Sequence, residues 1–142
     1  MSIPLHVQIP CHLYDRMLNH AVAELPNECC GLLAGQILEP GPIGRVLQVY
    51  ALVNAKASPT EYESEPRSMF QAVRDIEKMG WEILAVYHSH PTSDPVPSRK
   101  DVARNYSPEV MNLIISLKSS SPAVSAWWLS EDGYREAQWE VS

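Results

Sequence analysis

The stretch Ile83-Leu84-Ala85-Val86-Tyr87-His88-Ser89-His90-Pro91, followed after a proline-rich loop by Ser98-Arg99-Lys100-Asp101, decides how this chain is read. An apolar run between Gly80 and Pro91 reads as a buried strand. Residues i and i+2 of a strand share a face, so both imidazoles project side by side from its end. Asp101 can return from beyond the loop to meet them. Two His and one carboxylate are a catalytic zinc set, with water in the fourth position. Blander readings compete. Two His at i, i+2 also occur as a surface or hydrogen-bonded pair. Ser98-Arg99-Lys100-Asp101 after Pro97 also reads as a helix start, with Ser98 at the N-cap and Asp101 near N3. That reading is compatible with ligation, because a cap fixes where the Asp101 carboxylate points. Pro91, Pro95 and Pro97 stiffen the loop and lower the entropy lost on ordering the site.

Outward from this segment, the periodicity predicts a helix over 12–25, with Leu13, Met17, Ala21 and Val22 as its apolar stripe, Leu18 and Leu25 beside it, and Pro26 as its stop. Strands are predicted over 29–37 and 45–53, with Pro40-Gly41-Pro42 as a turn and Gly35 as a bulge or close approach. Residues 54–65 read as polar and irregular. Pro66 opens a second helix whose face uses Met69, Val73, Ile76 and Met79, closed by Gly80. Strand 82–88 carries the His pair, and a short helix follows Ser98. Strands are predicted over 111–117 and 123–129, and the tail 133–141 reads as a final edge strand. This order is not a regular βα alternation. It predicts an α/β fold of α+β character: a curved, mixed, largely antiparallel sheet with two main helices packed against it. Trp127 and Trp128 are adjacent, so on a strand they face opposite sides, and one of them lies under a helix or at an exposed patch.

At 142 residues the chain suits one domain, 1–142, with a single core. Apolar residues make up 45%, which excludes a disordered chain. Eleven basic against seventeen acidic residues give a net charge of −6, which argues against a general nucleic-acid or anionic-membrane surface. No apolar run approaches the about 18 residues of a transmembrane helix. Met1-Ser2-Ile3-Pro4-Leu5 lacks the basic start and apolar stretch of a signal peptide. Three Cys, two of them adjacent, do not form a disulfide framework, so a reducing cytoplasm is the simplest compartment. Cys29 and Cys30 sit in an apolar, small-residue segment and read as buried structural thiols, with zinc ligation or a nucleophilic Cys paired to His88 or His90 as the rival readings.

Zinc on two His and an Asp still needs a carboxylate to move protons. No Glu neighbours His88 except Glu82 at the far end of the strand, so the base comes from elsewhere. Glu24, Glu28, Glu61, Glu63 and Glu65 are equal rivals on the residues alone.

With Glu28, His88, His90, Pro91, Ser98 and Asp101, the chain resembles the JAMM (MPN+) metalloprotease family, whose pattern is a distant upstream Glu, then His-x-His-Pro, then Ser-x-x-Asp. The run Pro26-Asn27-Glu28-Cys29-Cys30-Gly31-Leu32-Leu33 is similar to the small prokaryotic, single-domain members. The resemblance spans nearly the whole chain, and no motif position departs from it. It implies an MPN/JAMM domain in which His88, His90 and Asp101 bind one zinc ion. It implies Glu28 as general base and acid on the activated water, and Ser98 as the donor that stabilises the tetrahedral oxyanion.

The family's active members cut peptide or isopeptide bonds after the C-terminal glycines of ubiquitin or ubiquitin-like proteins, and small prokaryotic relatives act on ubiquitin-like sulfur carriers or modifiers. The resemblance therefore implies a ubiquitin-like or sulfur-carrier adduct as substrate, its tail adding as an extended strand beside a sheet edge. Two other readings stay open. Many MPN domains lack the metal set and serve as scaffolds, which bound zinc would argue against, and a zinc hydrolase of a small amide would use the same ligands. Oligomeric state is not legible here.

Overall fold

The computed structural model describes residues 5–105 and 107–142. The reading of the N-terminus as free of a signal peptide rests largely on residues 1–4, which lie outside the described residues. Eight strands form one continuous sheet: β1 (His6–Ile9), β2 (Cys30–Leu38), β3 (Ile43–Leu52), β4 (Glu82–His90), β5 (Met111–Ser116), β6 (Ala123–Ser130), β7 (Gly133–Glu136) and β8 (Trp139–Val141). Their order is β7-β6-β5-β4-β2-β3-β1-β8. Pairs β2–β3, β2–β4, β5–β6 and β6–β7 are antiparallel, while β1–β3, β1–β8 and β4–β5 are parallel. The mixed, largely antiparallel sheet is the one expected. Its curl follows from connectivity. Strands β7 and β8 lie at opposite edges, yet only Ala137 and Gln138 separate them. A step from Glu136 to Trp139 spans at most about 11 Å, whereas eight flat strands would spread over about 33 Å. The sheet therefore wraps until its edges nearly meet, stitched by Ala137 N–H donating to the Ala126 carbonyl and Val7 N–H donating to the Gln138 carbonyl.

Two readings of the ends are corrected. The tail is not one edge strand but two short strands on opposite edges, split where the chain crosses the gap. The N-terminal strand β1 was not read, because four residues carry too little alternation to register.

Helix α1 (Cys11–Ala23) buries Leu13, Met17 and Ala21. Val22 is exposed because nine residues beyond Leu13 is half a turn round the helix, and Leu25 lies past the helix end, also exposed. Helix α2 (Pro66–Met79) starts as its sequence requires: Pro66 sits in the first turn and the Glu65 carboxylate accepts the Arg67 and Ser68 N–H groups. Gly80 closes it at φ 73°, a left-handed position that favours glycine. Ala72 and Ile76 are its buried residues, while Met79, expected on the face, is exposed.

Consecutive residues of β2 separate two clusters. Leu33 packs with α1 and residues of β1, β3, β4, β5 and β6 in the concave interior, and Leu32 packs with Ala72 and Ile76 of α2 on the outer face. The two helices thus cover opposite faces. Register shifts opposite Ala34/Gly35 and Leu33/Ala34 bend β2, and a Cβ on Gly35 would sit 1.9 Å from the Arg45 carbonyl oxygen. Trp128 enters the interior. Trp127 faces outward and its Nε1 donates to the Pro95 carbonyl at 2.9 Å.

Candidate metal and catalytic site

Strand β4 is buried continuously from Leu84 to His90. Its pleat turns Ala85 and Tyr87 to the interior and Val86 to the α2 side, and His88 and His90 follow Val86 by alternation. The two Nε2 atoms lie 3.2 Å apart. Helix α3 (Arg99–Ala103) brings Asp101 up to them: Oδ1 is 3.2 Å from His88 Nε2 and Oδ2 is 3.1 Å from His90 Nε2. The capping box expected from Ser98-x-x-Asp101 is present. Asp101 N–H donates to Ser98 Oγ at 3.1 Å, and Ser98 N–H donates to Asp101 Oδ2 at 2.9 Å, so the same bonds that start the helix aim the carboxylate. The His90 Nδ1–H donates to the Asp94 carbonyl at 2.8 Å, which leaves the Nε2 lone pair directed at the cluster. The loop carrying Asp94 is tied down in turn by Trp127 at Pro95 and by Ser116 Oγ donating to the Ser93 carbonyl.

This donor set fits a divalent cation. Among the described residues, His88, His90 and Asp101 form a group whose ligand atoms all lie within 4.8 Å of one another, and all three are buried. Two imidazole lone pairs at contact distance repel each other unless a proton or a cation sits between them. Two nitrogens and a carboxylate leave a fourth tetrahedral position open. The charges respond accordingly. Burial would raise the Asp101 carboxyl, but the bonds from His88, His90 and the Ser98 N–H hold it far below the usual carboxylate range. Burial pulls the His88 imidazole down, with Asp101 opposing. His90 is also opposed by burial, yet Asp101 and the Asp94 carbonyl raise it.

Glu28 lies in the loop between α1 and β2, 5% exposed, and its Oε1 is buried with no partner. Burial pushes its carboxyl up to about 7, against the pull of neighbouring His90. The rival carboxylates are placed elsewhere. Glu24 pairs with His20, Glu61 with Lys100 and Glu63 with Lys56. Both Glu65 oxygens cap α2, and Glu82 is exposed at the far end of β4. Ser98 Oγ accepts from Asp101 N–H and keeps its own hydrogen to donate. The structure thus brings Glu28, Ser98, His88, His90 and Asp101 to one place.

Cys29 and Cys30 are buried, one in each cluster, and burial pushes both thiols up to about 12. They are thiols at neutral pH, and neither belongs to the His88, His90 and Asp101 group.

Three neighbours of the site were not found by sequence reasoning. Tyr62, from the irregular 54–65 stretch, stacks on the His88 ring with centroids 4.6 Å apart. Ser89 turns to the other face, where its Oγ accepts the Cys29 N–H at 2.8 Å and zips the start of β2 to the end of β4. Alternation already pointed Ser89 away from the ligands, but nothing local named its partner. Asn54 binds the Glu28 carbonyl at 3.0 Å. A cavity of about 380 Å³ opens beside Tyr62, lined by Cys30, Leu32, Leu52, Met69 and Arg104. At the ligands β4 is flanked by β2 and β5, and the nearer edge of the sheet, β7, is three strands away.

A model of the family described as prokaryotic homologs of the JAB domain matches residues 10–130. A desampylase of Pyrococcus furiosus is 34% identical over 87% of this chain and 81% of its own length. A CysO-cysteine peptidase of Mycobacterium tuberculosis is 30% identical over 78% of this chain and 73% of its own. A protein of Desulfitobacterium hafniense, solved in solution, superposes with a TM-score of 0.85 at 34% identity, covering 96% of this chain and 92% of that one.

Proposed function

The chain belongs to the prokaryotic homologs of the JAB domain, and on that premise we propose that residues 1–142 are a single zinc-dependent peptidase or isopeptidase domain. It cuts the bond after the C-terminal glycine of a ubiquitin-like or sulfur-carrier protein adduct. The relatives named desampylase and CysO-cysteine peptidase support that substrate class. One observation carries the catalytic part: a buried carboxylate oxygen of Glu28 without a partner, beside three converging ligand groups. An unpaired buried carboxylate is costly and gives the fold nothing in return, which disfavours a scaffold.

His88 Nε2, His90 Nε2 and the Asp101 carboxylate hold one zinc ion. When bound, the ion supplies Lewis acidity, lowering the pKa of a coordinated water and polarising a carbonyl. Glu28 takes one proton from the attacking water and returns it to the leaving nitrogen, the water's second proton passes from the new carboxylic acid to the amine, and a carboxylate and an ammonium group result with Glu28 as it began. The Ser98 hydroxyl donates to the carbonyl oxygen as it gains charge. The scissile tail reaches these groups along the cavity beside Tyr62. A net charge of −6 disfavours nucleic acid or an anionic membrane as partner, and no helix among the described residues is long and apolar enough to cross a membrane. Free cysteines fit the reducing cytoplasm.

Elemental analysis of the purified protein, with cleavage assays on fusions of the source genome's ubiquitin-like proteins, tests this. One zinc per chain and a new C-terminus at the glycine are expected. A zinc-loaded protein that leaves every such fusion intact, or hydrolyses only small amides, would overturn the substrate assignment.

A further inference from the structure

The Asn54 carboxamide uses all its hydrogen-bonding capacity on one segment and one neighbour. Nδ2 donates to the Glu28 carbonyl at 3.0 Å and the Glu61 carbonyl at 3.1 Å. Oδ1 accepts the Lys56 N–H at 3.0 Å and the Glu63 N–H at 3.1 Å. The Glu28 N–H in turn donates to the Ser58 carbonyl at 2.8 Å. Both main-chain polar groups of Glu28 are therefore bonded to residues 54–58. Its carboxylate Oε1 has no partner to hold it, so the carboxylate goes where the main chain puts it. The same amide fixes Glu61 and Glu63 on either side of Tyr62, whose ring covers His88. Only Asn meets these requirements at this reach. Asp turns a double donor into an acceptor facing two carbonyls, Ser has a single donor, and Gln is one methylene too long.

We propose that Asn54 is a positioning residue for hydrolysis, a hub that ties the Glu28 main chain to the 54–63 segment and so places the Glu28 carboxylate. The catalytic half of this inference rests on the function proposed above. The half concerning the hub does not.

The test compares Asn54→Asp with Lys56→Met, which breaks only the exposed Lys56–Glu63 ion pair of the same segment. Amide hydrogen exchange is followed at Glu28 and Glu63 in the zinc-loaded proteins, and kcat and KM are measured on a ubiquitin-like fusion. Asn54→Asp should speed exchange at both amides at least about tenfold. It should lower kcat by about 10- to 100-fold, with KM within about threefold and zinc content kept. Lys56→Met should change none of these. In a Glu28→Gln background, Asn54→Asp should cost no further rate, since it acts through that carboxylate. Unchanged exchange at Glu28 overturns the hub. Faster exchange with wild-type kcat, a loss carried by KM, or a further loss in the Glu28→Gln background overturns the positioning role. If Asn54→Asp does not fold, Asn54→Ser, uncharged and with one donor kept, must show the same signs at smaller size. A wild-type protein that cleaves no fusion removes the proposed function and the catalytic half together, while the exchange result still decides the hub.

Discussion

His20 and His88 both lie against a tyrosine, and they use it in opposite ways. On the interior face, His20 Nδ1 pairs with the Tyr87 hydroxyl at 2.7 Å, the rings meet edge to face, and Nε2 reaches Glu24. On the α2 face, His88 stacks flat on Tyr62, its Nδ1 is buried without a partner, and its Nε2 is given over to the ligand cluster. Tyr87 and His88 are neighbours on one strand, yet one side of that strand gives its polar atoms partners and the other leaves His88 Nδ1 without one. Satisfied polar groups hold a fold, and buried open ones cost stability that a function must justify.

His88→Ala should break this contrast most sharply. The protein should stay folded, bind no zinc in elemental analysis, and lose turnover to background. Full zinc loading would show that the open face is not a ligand set.

Glu28→Gln comes next. It should keep zinc and lose about 10²- to 10⁴-fold in kcat, the usual worth of acid–base catalysis. It should also change the pH dependence of folding. In the zinc-free protein Glu28 titrates near 7 instead of near 4.5. A raised pKa means the folded state binds the proton more tightly, so stability is full below about pH 4.5 and falls as pH rises to about 7. Denaturant unfolding of zinc-free wild type should show that fall, up to about 3 kcal/mol, and Glu28→Gln should lack it. Identical pH profiles would mean that the carboxylate is solvated.

Ser98→Ala should lower kcat by about two to three orders of magnitude with less change in KM. Loss of its cap on α3 should cost about 1 kcal/mol. An unchanged kcat would leave only the capping role.

Tyr87→Phe sharpens the comparison from the satisfied side. It removes the partner of His20 Nδ1 and should cost about 1–2 kcal/mol of stability in chemical denaturation while kcat stays put. A large fall in kcat would show that the two faces are coupled.

Much of this site was legible because its parts are local in sequence. The alternation along Tyr87-His88-Ser89-His90 sets both imidazoles on one face, and Ser98-x-x-Asp101 is a capping box whose acceptor is also a ligand. Pro66 and Gly80 mark the ends of α2. These signals have periods of two to four residues, short enough for backbone geometry alone to impose. On the residues alone Glu28 stood level with Glu24, Glu61, Glu63 and Glu65, and only the family pattern singled it out.

Tertiary structure decided what depends on distant pairing. Burial separates Glu28 from its rivals, because each of the others meets a cation, a histidine or a helix end. Tyr62 over His88 and Asn54 on the Glu28 carbonyl join residues 26 apart with no repeating pattern to announce them. Splitting the tail between both edges of the sheet required the curl, which no window of residues contains. The chain's own order determined which side chains each strand and helix presents and where each element stops. Which of those side chains meet, and which buried atom is left without a partner, was decided only when the sheet closed on itself, because burial and long-range contact belong to the packed whole.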